Sequence, residues 1–178
     1  MKNLMISITA MLLFTSVNIK AQESKVKWYS IEEAIELNKK DQRKIFIDVY
    51  TDWCGWCKKM EATTFTNPEI AKILNEEYYA VRFDAETKDT INFAGQIFVN
   101  EGDRSRSPHQ LAVALLQGKM SYPSVAYLNE NNQLLTSVPG YYTADRLEPI
   151  LMFFAEDAFM SKSFEEYQKE FSNGNKTN

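Results

Sequence analysis

Lys44-Ile45-Phe46-Ile47-Asp48-Val49-Tyr50-Thr51-Asp52-Trp53-Cys54-Gly55-Trp56-Cys57-Lys58 runs from a nearly unbroken apolar stretch into both cysteines of the chain, two residues apart. The stretch from Lys44 to Tyr50 is too continuously apolar for a half-exposed strand and predicts a central one, covered on both faces. A helix opening at Cys54 would put the two sulfurs on one face, because helical residues three apart lie roughly 5–6 Å from each other. That is within the Cα separation a disulfide requires, so the pair can open and close reversibly. At a helix N-terminus the unpaired amides and the helix dipole favour a thiolate, which makes Cys54 the candidate attacking sulfur. Cys57, one turn further in and more buried, is the candidate resolving sulfur.

Other uses of two cysteines fit less well. Structural zinc usually takes four ligands, and this chain offers two cysteines and a single histidine, His109. Covalent haem needs histidine directly after the second cysteine, where Lys58 stands. No cofactor is expected. A purely structural disulfide is disfavoured because the loop it closes is too small to add much stability. His109, in the first turn of a predicted helix, reads as a surface residue, and the scattered methionines argue against a copper-binding methionine cluster.

Met1-Lys2-Asn3 leads into the apolar run Leu4 to Phe14, and Ile19-Lys20-Ala21 ends in a small residue, a secretory signal pattern with cleavage expected after Ala21. The run is too short for a comfortable transmembrane helix of about 20 residues. Loss of residues 1–21 removes Lys2 and Lys20 and no acid, taking the net charge from −4 to −6. Nucleic-acid binding is therefore disfavoured. The remainder fits one domain over residues 22–160, followed by an amphipathic helix and frayed tail over 161–178.

Along the chain, Ser30 to Glu33 forms a capping-box pattern that opens a helix to about Lys40. A helix continues from Cys57 to about Thr64, and Asn67-Pro68 starts another. Tyr78 to Asp84 reads as a second strand, parallel to the first through a right-handed crossover. Ile91-Asn92-Phe93 and Gln96 to Val99 suggest a hairpin about Ala94-Gly95. Ser107-Pro108 is expected to start a helix that ends near Gly118. Ser124 to Leu128 and Gln133 to Val138 flank Asn129 to Asn132 as a second hairpin. Thr143 is expected to cap a helix running to about Phe159, and Phe164 to Phe171 forms the last one.

The segment Asp48 to Lys58 resembles the active-site segment of the thioredoxin superfamily, matching in the strand, the aspartate six residues before the first cysteine, the preceding tryptophan and the following lysine. The continuation from Met60-Glu61 to Pro68-Glu69 is more specifically similar to secreted thioredoxin-like proteins related to the carboxy-terminal domain of DsbD-type thiol:disulfide interchange proteins. The resemblance implies an α/β thioredoxin fold, a central mixed β-sheet flanked by helices, with an inserted hairpin and helix before a cis-proline loop. It implies catalysis by Cys54, Cys57 and Asp48, the last a buried carboxylate that takes and returns the proton of the second cysteine. It also implies that Tyr122 and Pro123 form the cis-proline loop against the disulfide and present backbone to an extended substrate, with Trp53, Trp56 and Tyr122 as an apolar platform.

Two departures stand out. Gly55-Trp56 between the cysteines leaves the direction of electron flow open, and the family's lysine partner for the aspartate has no clear match among Ala80, Val81 and Arg82. The resemblance implies a periplasmic thiol–disulfide oxidoreductase, leaning to the reducing direction. Its partners would be protein thiols and disulfides and a membrane electron donor of the DsbD type, with the chain a monomer. A client-binding or folding-assistance module with little redox turnover is the alternative, and copper delivery a weaker one.

Overall fold

The structure, a computed structural model, describes residues 25–174; the signal segment expected at 1–21 lies outside them. Its first elements are β1 (Trp28–Tyr29), α1 (Ile31–Asn38), β2 (Lys44–Tyr50), α2 (Gly55–Thr63), α3 (Pro68–Glu77) and β3 (Tyr78–Asp84). The hairpin β4 (Ile91–Phe93) and β5 (Gln96–Phe98) and the short helix α4 (Gln110–Leu115) come next. The chain closes with β6 (Ser124–Leu128), β7 (Leu134–Pro139), α5 (Ala144–Ala155), a 3₁₀ turn at Ala158–Met160 and α6 (Phe164–Gly174).

Five strands form one sheet in the order β1-β3-β2-β6-β7, with β4 and β5 paired apart. The β1–β3 and β2–β3 pairs are parallel, and β2–β6 and β6–β7 antiparallel, so the sheet is mixed. β2 is the middle strand, and every residue from Lys44 to Val49 is buried. Its side chains alternate between two apolar layers. Ile45, Ile47 and Val49 meet α1, α4 and the β4 residue Ile91 on one face. Phe46 meets Met60 of α2, Ile70 and Leu74 of α3, and Leu147 and Leu151 of α5 on the other.

Local signals place most of the elements. Ser30 and Glu33 form a reciprocal capping box on α1. The Asn67 side chain accepts the Glu69 and Ile70 amides ahead of Pro68 on α3. At the far end of β2, the buried Lys44 ammonium lies 2.6 Å from Glu130 and 2.9 Å from Asp157, which ties the β6–β7 turn and the end of α5 to the sheet.

Three element expectations are corrected. Ser107-Pro108 does not start α4; the helix begins at Gln110 with His109 as its N-cap. The helix after Thr143 ends at Ala155, where Asp157 takes a left-handed φ of 55° and the chain tightens into the 3₁₀ turn. β1 has no counterpart in the sequence reading, because Trp28-Tyr29 is too short to show an alternating pattern.

Candidate active site

Cys54 is the N-cap of α2 and Cys57 lies in its first turn, both buried. The two are joined by a disulfide with a Cα–Cα separation of 5.3 Å. The Cys54 Sγ accepts the Cys57 amide at 3.0 Å, the hydrogen bond that a thiolate there would also use. Backbone hydrogen bonds hold the loop as well. The Cys54 amide donates to the Thr51 carbonyl at 3.1 Å, and the Lys58 amide donates to the Cys54 carbonyl at 3.2 Å.

Asp48 lies on the face of β2 that α2 covers, since it stands two residues after Phe46 on the strand. It is 1 % exposed, and neither carboxylate oxygen has a hydrogen-bond partner among the described residues. Register places it opposite Val125 on β6 and Arg82 on β3. The Arg82 Nε stands 3.3 Å from Asp48 Oδ2, a charge contact that falls just short of hydrogen-bond geometry. Burial pushes the Asp48 carboxyl from 3.8 up to about 7, against the downward pull of Arg82. Arg82 thus fills the cationic place for which the sequence offered no clear match. Its guanidinium also pairs with Glu61 of α2 and lies over the Tyr50 ring at 4.4 Å.

Pro123 follows a cis peptide bond from Tyr122 and is buried. Its carbonyl accepts the Gly140 amide at 2.8 Å, which fastens the end of β7 to this loop and sets Tyr141 beside it. Two exposed aromatic walls result. Trp53 packs edge-on against Tyr122 at 6.0 Å, and Trp56 lies tilted against Tyr141 at 5.3 Å. Trp53 and Trp56 are 50 % and 57 % exposed, so neither is packed under the loop. The Trp53 indole N–H donates to both Glu86 carboxylate oxygens, at 2.9 and 3.1 Å, and the Arg106 guanidinium covers its ring at 4.8 Å. Lys59 lies over Trp56 at 4.8 Å and over Tyr141 at 5.3 Å.

The structure therefore brings Trp53 and Tyr122 together directly, with Cys54, Cys57 and Trp56 on the adjoining loop and helix and Asp48 on the covered strand face. It adds Arg82, Tyr141, Lys59, Glu86 and Arg106, which sequence reasoning missed. Arg82 could have been found from the strand register; Tyr141 and Arg106 carry no local signal. His109 is a correction. It is fully buried rather than on the surface, its Nδ1 accepts the Leu111 amide at 3.1 Å, and its Nε2 faces the Asp89 carbonyl at 3.0 Å. That pairing fixes the tautomer with the proton on Nε2.

Chemically, a dithiol here could trade two electrons with an external disulfide. Among the described residues no group of three or more His, Cys, Asp or Glu side chains is placed to hold a metal ion, and no helix is long and apolar enough to cross a membrane.

The protein-family model Thioredox_DsbH, described as "Protein of unknown function, DUF255", matches residues 14–153. Spermatogenesis-associated protein 20 of Mus musculus is 36 % identical over 75 residues, covering 42 % of this chain and 10 % of that protein. The chain thus spans about a tenth of the length of the curated relatives it first matches. The thiol:disulfide interchange protein DsbD of Vibrio vulnificus (strain CMCP6) is 32 % identical over 69 residues, covering 35 % of this chain and 12 % of that protein. A solved structure named DsbH Oxidoreductase superposes with a TM-score of 0.52 at 18 % identity, covering 83 % of this chain and 94 % of that one. The likeness shows a thioredoxin fold, and here it carries the Cys54–Cys57 disulfide.

Proposed function

We propose that this chain, which belongs to the Thioredox_DsbH (DUF255) family, is a periplasmic thiol–disulfide oxidoreductase that reduces or exchanges disulfides of secreted proteins. The observation that carries the reading is the Cys54–Cys57 disulfide at the mouth of α2, with the Cys54 sulfur on a backbone amide and exposed aromatic rings on both sides. In the reducing direction the Cys54 thiolate attacks one sulfur of a client disulfide. A mixed disulfide forms, and the other client sulfur leaves as a thiolate. Asp48, on the strand face beneath α2, takes the proton of the Cys57 thiol. The Cys57 thiolate then attacks Cys54, releasing the second client sulfur. Two electrons have passed to the client, and the protein is left in the disulfide form. The Tyr122-Pro123 loop positions the client, whose extended backbone pairs with Tyr122 in the manner of strand addition.

Renewal of the dithiol takes two electrons and two protons. A membrane electron donor of the DsbD type would supply them, in keeping with the similarity to an interchange protein. The periplasmic address rests on the signal pattern in residues 1–21 and on the chemistry, since a reductase in an oxidising compartment needs such a donor. The chain is proposed to act as a monomer, on protein thiols and disulfides.

Insulin reduction driven by an added electron source tests the reading. Catalytic turnover that disappears in Cys54→Ser supports it. In cells, Cys57→Ala should accumulate mixed disulfides on Cys54, from which clients and donor can be identified; no trapped species and no turnover would overturn it. The exposure of Trp53 and Trp56 favours a second reading, a client-holding module. Client binding that survives loss of both cysteines, in the absence of turnover, would select it.

A further inference from the structure

The two aromatic walls flanking the cysteines carry opposite charge. On the Trp56–Tyr141 wall the cap is Lys59, with Lys58 exposed beside it, and neither ammonium lies within ion-pairing distance of a carboxylate among the described residues. The nearest acid on α2, Glu61, is engaged by Arg82. On the Trp53–Tyr122 wall the acids outnumber the single cation, Arg106. Glu86 holds the Trp53 indole, and Asp84 accepts the Glu86 amide at 3.0 Å. Asp52 and Asp89 lie close enough to act on Asp84, whose carboxyl is raised first by burial and then by these neighbours, against the Glu86 amide. The same field reaches Tyr122, whose hydroxyl is pushed up to about 12 by burial and then by Glu86 and Asp84.

We propose that the surface bearing the Trp53–Tyr122 and Trp56–Tyr141 ring pairs selects its client by charge order, taking extended disulfide segments that place an acidic residue against Lys59 and a basic residue against Glu86. The inference rests on the oxidoreductase reading and names its substrate class. Charges at a rim chiefly govern encounter and register. Each exposed pair changes a rate by about 1.4- to 5-fold, so two acting together change it by about two- to thirtyfold.

The test uses two synthetic decapeptides of identical composition, each with one cysteine in a mixed disulfide with 2-mercaptoethanol. One has glutamate two residues before the cysteine and lysine two after; the other has the order reversed. The protein, pre-reduced with dithiothreitol and freed of it, supplies the two electrons. Cys54 attacks the mixed disulfide, Cys57 closes the protein disulfide, and the peptide thiol and 2-mercaptoethanol are released. The expected result is a difference of about two- to thirtyfold between the peptides at low salt. It should shrink towards unity in 0.5 M salt, where the screening length falls to a few ångströms, about 4 Å, and be abolished or inverted by Lys59→Glu. Equal rates, or a difference that Lys59→Glu leaves intact, would overturn the charge-order inference. Bis(2-hydroxyethyl) disulfide, small and uncharged, separates the two levels. If the wild-type protein reduces it while the peptides react equally, charge order alone fails; if it is not reduced and neither peptide reacts, the oxidoreductase reading fails with it.

Discussion

Asp48 couples folding to pH, because its carboxyl is held near 7 in the folded chain against an ordinary value of 3.8. Below about pH 4 both folded and unfolded chains carry the proton, and the residue costs nothing. Between about 4 and 7 the unfolded chain has ionised and the folded chain has not, so stability falls as pH rises. Above about 7 the penalty is complete, on the order of 4 kcal/mol at about 1.4 kcal/mol per unit. Asp48→Asn should therefore raise the unfolding free energy measured in urea at pH 8, by about 2–4 kcal/mol after allowing for an unsatisfied amide, and converge on the wild type near pH 4. Parallel stability curves across that range would show that the carboxyl does not titrate there. The same substitution should flatten the pH profile of thiol exchange near neutrality; an unchanged profile would remove Asp48 from the proposed proton path. The cysteines were legible in the sequence because the two residues between them span one helical turn, whereas Asp48 was reached through the resemblance of the Asp48 to Lys58 segment to the thioredoxin active-site segment. Arg82 was not, because it reaches Asp48 only through the lateral register of β2 and β3.

At the scale of elements, the inserted segment between β3 and β6 hangs on His109. The imidazole caps α4 with one nitrogen and holds the Asp89 carbonyl with the other, while the His109 amide donates to the Ala85 carbonyl at 2.7 Å. Its ring meets Phe83 edge-on at 5.6 Å. His109→Ala should cost about 1–3 kcal/mol, from a lost cap and a lost hydrogen bond to the Asp89 carbonyl. Amide exchange should rise first in residues 86–116, and a uniform rise over the whole sheet would show that the segment has no local anchor of this kind. The sequence misled here for a definite reason. Pro108 resembles a residue at the first helical position, and histidine is outside the usual set of N-cap residues. By contrast β2, β3 and α3 are readable, because an apolar run or an Asn-Pro pair states its own structure locally. The two aromatic walls fall between these cases: the tryptophans flank the cysteines in sequence, but Tyr141 arrives from the end of β7, 84 residues after Cys57.

Over the whole molecule, α6 is part of the core on the α5 side. Phe153 meets Phe164 and Tyr167 at ring separations of 5.4 Å, and the Tyr167 hydroxyl donates to Glu156 at 2.8 Å. A chain ending at Ser161 should lose roughly 3–6 kcal/mol, by analogy with the removal of large aromatic side chains from a packed cluster. Urea unfolding measures it; an unshifted midpoint would make α6 an appendage. The backbone hydrogen bonds around the cysteines bear on the molecule as a whole too. Thr51, Cys54 and Lys58 hold the strand-to-helix joint through their main chains, and the end of β7 is tied to Pro123 in the same way. None of those bonds passes through sulfur. Loaded and spent forms of the protein would then share one silhouette, and a donor that must recognise the spent form could read only the chemistry of two atoms and the rings around them. If a donor of the proposed kind renews the dithiol, it would have to sample its targets by reacting with them, and exchange would be a matter of trial collisions rather than of shape-sensing.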